Sequence, residues 1–463
     1  MPSEKYSTLQ KIASECAREI RKHPHVHCVS HIDADGITSA AIIARALERA
    51  GISYKMQFVK QLDEKIVKEL SEQNHDLVIF TDLGSGQIEH INNYGLNAVI
   101  SDHHRPQGQL LHHLNPHLVG ANGSYELSGS GTTYILANEL GDNQDLASLA
   151  IVGCIGDLQY RKYGKLVSLN EEILKANPKH VMAKMDLSLY GKQTRPIHKM
   201  LQFSTDPYLP GLTGNEDGCI EFLGSLHFPL AKDERWKRWI DLEITDKRKV
   251  ISAIIEYSIG HNVPKTNMDR IVTECYELVN EKEGIETRDA MEFSTLLNAT
   301  GRYMQAEIGF AVCLGDRGEY YSHASTLLQE HRKNLVDGIN YVKNTTGVIE
   351  LSHIQYFDAK DKIPETIVGI VAGMIHSSYN RNLPILAFSN KEDGHKVSAR
   401  GTQILVNKGL NLSEALEIVC KELGGAGGGH DIAAGATIPY GTMDQFLEKM
   451  NLIISQQLNP PRH

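Results

Sequence analysis

Three short apolar segments, each followed at once by acidic, glycine or histidine residues, constrain the fold most strongly. They span residues 26–30, 77–81 and 98–101. Such short runs rich in β-branched residues are typical of strands, and the periodic segment 38–50 between the first two predicts a helix that Gly51 ends. Strands that alternate with helices favour a mainly parallel sheet covered on both faces. The sequence therefore predicts an α/β fold for this part of the chain.

The rest of the chain changes in character twice. From about residue 164 to 342 helical periodicity dominates, and segments 242–259 and 268–281 both predict surface helices. From about residue 344 the pattern returns to mixed α/β, with two strands (385–388 and 395–400) joined by an Asp-Gly turn. We therefore expect three regions, 1–163, 164–343 and 344–463.

Composition describes an ordinary globular chain and excludes several classes of protein. Of 463 residues 41% are hydrophobic, and the net charge is −10, which argues against indiscriminate binding to duplex DNA but leaves room for a local basic cleft. No apolar run has the length of a membrane span, and the seven cysteines form no CxxC pair. We expect a soluble cytoplasmic protein without membrane association.

Acidic and histidine residues gather at four predicted strand ends, those of the three segments above and a fourth at residues 153–157. These residues are His31, Asp33, Asp35, Asp82, Asp102, His103, His104 and Asp157. Because the carboxyl ends of parallel strands meet at one crevice, we expect them to lie together. So many like charges would repel one another unless cations neutralised them. The mixed oxygen and nitrogen donors suit Mn²⁺ or Mg²⁺, with Zn²⁺ or Co²⁺ as alternatives.

Simpler interpretations exist for single members of this set. An aspartate after a strand, such as Asp82 or Asp102, is often only a helix N-cap or a turn residue. Adjacent histidines can be solvent-exposed, which we expect of His112 and His113. The joint occurrence at four segment ends favours the metal site. Alternate residues leaving a strand project to one side, so His31, Asp33 and Asp35 are expected to face one cavity.

At these residues the chain resembles the DHH phosphoesterase superfamily, whose motif is present here as Asp102-His103-His104. The resemblance extends over nearly the whole chain. Near its end, the run Gly427, Gly428, Gly429 and His430 resembles the signature of the DHHA1 substrate-binding domain. The resemblance thus implies a parallel-sheet DHH catalytic domain, a helical middle segment and a smaller mixed α/β DHHA1 domain.

The resemblance also implies roles for the site residues. It implies two divalent metals, with Mn²⁺ preferred to Mg²⁺. One of them would be held by His31, Asp33 and Asp82. The other would be held by Asp35, Asp82, His103 and Asp157, so that Asp82 bridges the pair. His104 would serve the scissile phosphate as a hydrogen-bond donor or general acid, and Asp102 would orient an imidazole.

Substrate binding is assigned by the same resemblance to residues outside the metal cluster. They are Arg302, Ser398, Arg400, Gly427, Gly428, Gly429 and His430. Glycines let backbone N–H groups approach a phosphate closely, although a glycine run taken alone is more often a flexible loop. Overall length and the loop 210–215 resemble the archaeal RecJ-like nucleases associated with the GINS replication complex.

The sequence is compatible with three functions. The first is a metal-dependent exonuclease that hydrolyses single-stranded DNA 5′→3′ or RNA 3′→5′ through an activated water. The second keeps the chemistry but takes short substrates, as an oligonucleotidase or cyclic-dinucleotide phosphodiesterase. The third is a GINS-binding replication scaffold in which catalysis is dispensable. A pure scaffold would be expected to lose metal ligands, yet all of the matched positions are filled here.

Overall fold

The computed structural model describes residues 2–73, 75–204, 207–227, 229–232, 235–376 and 378–459. The chain divides into two compact units, Met1–Leu328 and Gln329–His463. The boundaries expected after residues 163 and 343 remain predictions, and the expected end of the last region, residue 463, lies outside the described residues.

The first unit begins with an α/β sheet. Its strands are β1 (His25–His31), β2 (Ser53–Val59), β3 (Val78–Thr81), β4 (Ala98–Ser101) and β5 (His113–Leu114). Its helices are α1 (Glu4–Ile20), α2 (Ala34–Arg49), α3 (Glu64–Glu72), α4 (Ile88–Asn93), α5 (Gly129–Leu140) and α6 (Ala147–Gly156). The strand order is β2-β1-β3-β4-β5, and every pairing is parallel. The predicted parallel α/β sheet is confirmed.

Apolar side chains cover both faces of this sheet. Helices α1, α2, α5 and α6 contribute to one core, in which Ile42 and Ile151 are fully buried. Helices α3 and α4 form the other core around Phe80. Strand β3 is buried at all four positions for this reason, and a continuous apolar run rather than an alternating one marks it in the sequence.

The middle of the chain is mainly helical and, as far as Leu328, belongs to the first unit. Its helices are α7 (Ser168–Ala176), α8 (Ile197–Gln202), α9 (Glu216–Gly224), α10 (Ile244–Gly260), α11 (Lys265–Met268), α12 (Ala290–Arg302) and α13 (Ala306–Cys313), followed by α14 (Glu319–Tyr341). Short antiparallel pairs join β6 (Val181–Leu187) to β9 (Val272–Leu278) and β7 (Ala231–Lys232) to β8 (Arg235–Trp236). The predicted helix over 242–259 is confirmed by α10.

The predicted helix over 268–281 is wrong. Only Met268 at its start is helical, and β9 occupies most of the segment. The segment carries β-branched and aromatic residues, among them Val272, Thr273 and Tyr276, which suit a strand. Pairing with β6 over seven residues then outweighs the apparent helical period.

The second unit contains a six-stranded mixed sheet. Its strands are β10 (Ile349–Glu350), β11 (Gln355–Asp358), β12 (Ile385–Lys391), β13 (Gly394–Arg400), β14 (Ala426–Gly429) and β15 (Ala433–Ile438), in the order β10-β11-β12-β13-β15-β14. Its helices are α15 (Val368–His376), α16 (Gln403–Asn407), α17 (Leu412–Leu423) and α18 (Met443–Leu458). The predicted β12–β13 hairpin is confirmed, and Lys391 pairs with Gly394 at its turn.

The glycine run of the second unit is a strand rather than a loop. Gly427, Gly428 and Gly429 lie in β14, which pairs antiparallel with β15 at one edge of the sheet. A Cβ on Gly427 would approach Cys420 Sγ to 3.0 Å, so the close packing of helix α17 on β14 favours glycine there. Among the described residues no helix combines the length and apolar composition needed to cross a membrane.

Candidate metal centre

The predicted metal ligands of the first unit converge at the carboxyl ends of three neighbouring strands. His31 is the last residue of β1, Asp82 directly follows β3, and Asp102 directly follows β4. Strands β1 and β3 are adjacent although they are not consecutive, since β2 lies on the far side of β1. The chain thus reverses its winding direction between them, and ligands of open α/β sheets bind at such a point.

One group of donors lies on the β1 side. His31 Nδ1 is 3.0 Å from Asp33 Oδ2 and 3.6 Å from Asp82 Oδ2. All three side chains offer ligand atoms within 4.8 Å of one another. The structure therefore brings together the three residues expected at one metal.

A second group lies deeper and consists of Asp35, His103 and Asp157, whose ligand atoms are again within 4.8 Å of one another. His103 Nε2 is 3.8 Å from Asp35 Oδ2 and 3.2 Å from Asp82 Oδ1. Asp82 therefore reaches one group with each carboxylate oxygen. This is the arrangement expected of a bridging ligand.

Asp82 also shows that the donor set fits a cation. Its Oδ1 is buried and accepts no hydrogen bond from the described residues, since the contact with His103 Nε2 at 3.2 Å lacks hydrogen-bond geometry. A buried carboxylate oxygen without a partner is costly unless it is paired or coordinates a metal. The residue also has φ 58°, a left-handed conformation uncommon outside glycine, and such strain clusters at functional sites.

Backbone groups fix the deeper donors before any ligand binds. The amides of Gly129 and Ser130, at the N-terminus of α5, donate to the two oxygens of Asp35 at 2.7 and 2.9 Å. His103 Nδ1 lies 2.6 Å from the carbonyl of Gly123, which assigns the proton to Nδ1 and leaves Nε2 to face Asp82. This is how protein environments set the ligating nitrogen of a histidine.

Two expectations about local geometry are wrong. Asp157 ends helix α6 rather than a strand, because the apolar run before it is a buried helix. His31, Asp33 and Asp35 do not continue one extended segment. Asp33 is the N-cap of α2, with its side chain accepting from Gly36 N at 3.0 Å, and Asp35 lies in the first helical turn. The side chains still converge because the helix starts immediately beyond the strand end.

Electrostatics agrees with a site that needs positive charge. Burial and the neighbouring carboxylates of Asp82 and Asp157 raise the pKa of Asp35 to about 8. Burial likewise raises the pKa of Asp157 to about 6, with a further contribution from Asp82. Burial opposes charging of His103, but the carboxylates of Asp157 and Asp82 hold its pKa well above the ordinary value. The site thus retains protons in the absence of a cation that could replace them.

The third residue of the motif, His104, belongs to neither of these two groups, although one of its ring nitrogens lies within 4.8 Å of ligand atoms of Asp82, Asp102 and His103. Its Nδ1 is 2.8 Å from Asp102 Oδ1, and its side chain is 59% exposed, so Nε2 is available to a ligand. Burial disfavours its charged form, but the bond to Asp102 raises the pKa of His104 to about 9. Burial alone would raise the pKa of Asp102, yet His104 and the amide of Ser85 hold it below its usual range.

A buried polar network lies behind His104 and Asp102, and no pattern in the sequence predicts it. Ser85 Oγ lies 2.9 Å from His113 Nε2 and also accepts from Asn115 Nδ2, whose second bond reaches the carbonyl of His104. The expectation that His113 is solvent-exposed is wrong: its side chain is 3% exposed because it lies on β5. Gln159, also missed, donates to Asp157 Oδ2 at 2.7 Å.

Of the residues expected to bind substrate, Arg302 belongs to the unit that holds the metal centre. It ends helix α12, and burial lowers its pKa while the nearby charge of Asp33 raises it. One turn earlier, Asn298 Oδ1 accepts from the amide of Ala34 at 3.0 Å, which joins α12 to the start of α2. Helix α12 therefore presents Arg302 to the rim of the site.

The other expected binding residues lie together in the second unit. Ser398 and Arg400 are two apart on β13 and share one face of the sheet, where a Cβ on Gly369 would lie 2.6 Å from Arg400 Nη2 and 2.9 Å from Ser398 Oγ. Ser398 pairs with Gly435, which pairs in turn with Gly428. The exposed His430 follows β14 directly.

Comparison with known proteins identifies this combination. Residues 25–154 match the DHH family N-terminal domain, residues 189–272 match the DHH-CID domain, and residues 351–456 match the DHHA1 domain. An uncharacterized protein of Methanocaldococcus jannaschii is 34% identical over 98% of this chain and 99% of its own length. The chain therefore belongs to the DHH/DHHA1 superfamily of RecJ-like phosphoesterases, which confirms the resemblance seen in the sequence.

More distant relatives share the fold. The single-stranded-DNA-specific exonuclease RecJ of Escherichia coli is 20% identical over 99% of this chain and 71% of its own length. The Mn²⁺ complex of Thermus thermophilus RecJ superposes on this chain with a TM-score of 0.60 at 16% identity. The match covers 98% of this chain and 55% of that chain. CDC45 of Entamoeba histolytica gives a TM-score of 0.67 at 12% identity, with 98% of this chain and 99% of that chain covered.

Proposed function

We propose that this protein is a divalent-metal-dependent exonuclease that hydrolyses phosphodiester bonds of single-stranded nucleic acid. The observation that carries the proposal is the position of Asp82. One of its carboxylate oxygens lies 3.6 Å from His31 Nδ1 and the other 3.2 Å from His103 Nε2, so a single carboxylate serves two groups of donors.

The two groups would hold two divalent cations. His31, Asp33 and Asp82 form the first group, and Asp35, His103 and Asp157 form the second with Asp82 shared. We favour Mn²⁺ over Mg²⁺ because histidine nitrogens join the carboxylates. Thermus thermophilus RecJ, which has the same fold, is known in complex with either ion. Bound there, such a pair supplies a water nucleophile and charge stabilisation for in-line displacement at phosphorus.

The protein's own groups would bind and orient the phosphodiester. His104 Nε2 is directed away from Asp102 and would donate a hydrogen bond to a phosphate oxygen, or a proton to the leaving oxygen. Asp102 accepts from the amides of both His103 and His104, so it would hold the motif in place without touching substrate. Arg302 would add positive charge at the rim.

The second unit would bind the strand through its phosphates. Strand β14 is the edge of its sheet, so part of its backbone N–H row faces outward, and three consecutive glycines leave that edge without side chains. Arg400, Ser398 and His430 would contribute side-chain donors. The E. coli relative is named for single-stranded DNA, which favours a single strand over a duplex. Association with a GINS-type replication complex remains a prediction, which co-purification would test.

Digestion of end-labelled 20-mers tests the proposal. Single-stranded DNA and RNA carrying a 5′ or 3′ label are incubated with Mn²⁺, Mg²⁺ or EDTA, with Asp82→Asn as the inactive control. We expect metal-dependent shortening that the variant lacks, and the labels then read polarity and sugar preference. Cleavage by Asp82→Asn at the wild-type rate, or cleavage in EDTA, would contradict the proposal. Faster hydrolysis of dinucleotides than of the 20-mers would assign the protein to the oligonucleotidases instead.

A further inference from the structure

A pocket of about 380 Å³ lies in the first unit beside the turn that follows Asp157. Residues 160–164 form one side of it, and Ser188, Thr266, Arg270 and Thr273 contribute to the other. Its volume lies within the range of sites that bind a small ligand or a few atoms of a larger one. None of the proposed metal ligands lines this pocket, so the centre described above does not account for it.

Two tyrosines and a lysine form an aromatic platform at this pocket. Tyr125 and Tyr163 meet edge to face, with ring centroids 5.7 Å apart. Lys162 Nζ lies 3.9 Å from the centroid of Tyr125 and 5.2 Å from that of Tyr163. Tyr163 nevertheless remains 50% exposed. An exposed ring that a cation already orients is a surface on which a nucleobase can stack.

The charge of the pocket is opposite to that of the whole chain. Its described lining carries Arg161, Lys162 and Arg270 against one acid, Asp269, whereas the chain has a net charge of −10. Thr273 adds a hydroxyl to the wall, and its Oγ1, in a side chain that is 4% exposed, has no hydrogen-bond partner in the described structure. Cations and hydroxyls beside aromatic rings suit a strand of nucleotides, which offers phosphates and bases alternately.

Two chain segments connect the pocket and the platform to the metal centre. Tyr160 follows Asp157 by three residues, at the start of the turn that forms the pocket. Tyr125 follows Gly123 by two residues, and the carbonyl of Gly123 accepts hydrogen bonds from His103 and Gln159. A strand lying on the platform would therefore be held by segments that also hold the metal ligands.

We infer that this pocket and platform, Tyr125, Arg161, Lys162, Tyr163 and Arg270, bind the single-stranded nucleic acid next to the scissile phosphate. The bases stack on the exposed face of Tyr163, and Arg161 and Arg270 contact the phosphates. The inference rests on the proposed function, because it assigns the binding of a strand that the metal centre would cut. It places part of the nucleic-acid-binding surface within the first unit.

Binding and chemistry are measured separately to test it. Fluorescence anisotropy of labelled dT20 and U20 in EDTA, which blocks the proposed cleavage, reports binding. We expect Tyr163→Ala to raise the Kd about tenfold, and Tyr163→Phe, which keeps the ring, to leave it within about twofold. Tyr320→Ala is the matched control, since Tyr320 is 48% exposed outside the pocket. Arg161→Ala should lower the salt dependence of log K by about 0.7 for one lost phosphate contact.

A small phosphodiester without a nucleobase, methyl p-nitrophenyl phosphate with Mn²⁺, reports chemistry separately from binding at the platform. The wild type is expected to hydrolyse it, and Tyr320→Ala, the variant outside the pocket, is expected to do so at the wild-type rate. Equal Kd values for Tyr163→Ala and the wild type, or no binding of either oligonucleotide by the wild type, would overturn the inference. Failure of the wild type to hydrolyse the ester would count against the proposed chemistry instead, and the anisotropy result would still decide the pocket. Thermal melting confirms that each variant is folded.

Discussion

Gly129 lies so close to Asp82 that a Cβ built on it would be 2.4 Å from the carboxylate Oδ1 and 2.7 Å from the Asp82 Cβ. Both distances are shorter than real Cβ contacts allow, and the second involves an atom fixed by the backbone. The same glycine donates its amide to Asp35 at 2.7 Å. One residue without a side chain thus sets the spacing of two proposed ligands.

Substitution of Gly129 by alanine is therefore expected to damage the site more than the fold. The methyl group must displace Asp82, and catalysis is sensitive to displacements of about 1 Å, which can cost on the order of 10²-fold in rate. We expect a loss of that size in metal-dependent hydrolysis, with a much smaller relative change in melting temperature. Gly86→Ala is the control, because its Cβ would meet no described atom within 4 Å. Equal activity of both variants would show that Asp82 tolerates the displacement.

Metal binding should appear as thermal stabilisation that depends on Asp82. A ligand bound by the folded state alone, at a concentration of 100 times its Kd, stabilises by about 2.7 kcal/mol. We expect Mn²⁺ to raise the melting temperature of the wild type and to leave that of Asp82→Asn nearly unchanged. Asp393→Asn, which alters a carboxylate that is 72% exposed in the β12–β13 turn, should respond like the wild type. An equal shift in all three proteins would place the metal elsewhere.

His104 is expected to contribute to turnover rather than to metal binding. Its Nδ1 is engaged by Asp102, and it belongs to neither of the two proposed ligand groups, although its ring lies near Asp82 and His103. General acid–base or hydrogen-bond donation by such a group contributes about 10²- to 10⁴-fold. His104→Gln should therefore lower kcat by a factor in this range while the Mn²⁺-induced shift in melting temperature persists. His90→Gln on α4 provides the control, and loss of the Mn²⁺ shift in His104→Gln would instead make His104 a ligand.

Stability at acidic pH should depend on Glu281 in the middle region. Arg317 donates to both of its oxygens, at 2.9 and 2.5 Å, and Thr287 donates at 2.5 Å. Burial opposes ionisation, but these donors hold the pKa of Glu281 below its ordinary value. A lowered pKa stabilises the fold above the unfolded-state pKa, and this contribution disappears as the pH falls through the folded-state value.

Glu281→Gln should accordingly lower the free energy of unfolding by about 1 kcal/mol at pH 7, a modest value because the pair is partly exposed. The difference from the wild type should shrink as the pH falls below about 4.3, the ordinary pKa of glutamate. Urea unfolding at several pH values measures it, with the exposed neighbour Glu283→Gln as the control. A difference that is constant with pH would show that the ion pair is not its source.

Prediction from the sequence was most successful for the proposed ligands that lie at the ends of strands. Strands β1, β3 and β4 are short, apolar and followed at once by His31, Asp82 and Asp102, and the parallel order of the sheet forces those ends together. The sequence predicts a strand end at Asp157, whereas the residue ends a helix. The ten residues before it are mostly apolar, so their hydrophobic periodicity does not distinguish a buried helix from a buried strand. Its nearness to His103 was nevertheless expected.

The residues that support the ligands could not be predicted in this way. Ser85, Asn115 and Gln159 are ordinary polar residues in the sequence, and they gain a role only because tertiary packing buries them beside His104 and Asp157. Likewise, β9 became a strand through pairing with β6, a partner about ninety residues away. The β-branched and aromatic residues of β9 are compatible with a strand, but only this long-range pairing decides against the apparent helical period.

Asp33 closes helix α2 at its N-terminus and is at the same time a proposed ligand, with Gly36 N and His31 Nδ1 both 3.0 Å from its carboxylate. Capping the helix and binding a metal require different properties of the side chain. Asparagine, serine and threonine cap helices well but carry no negative charge, and glutamate keeps the charge but is not among the favoured caps. Aspartate alone satisfies both requirements. Loss of the metal would therefore relax this position only as far as the other good caps, because helix geometry would continue to select a short polar side chain after the chemistry had gone.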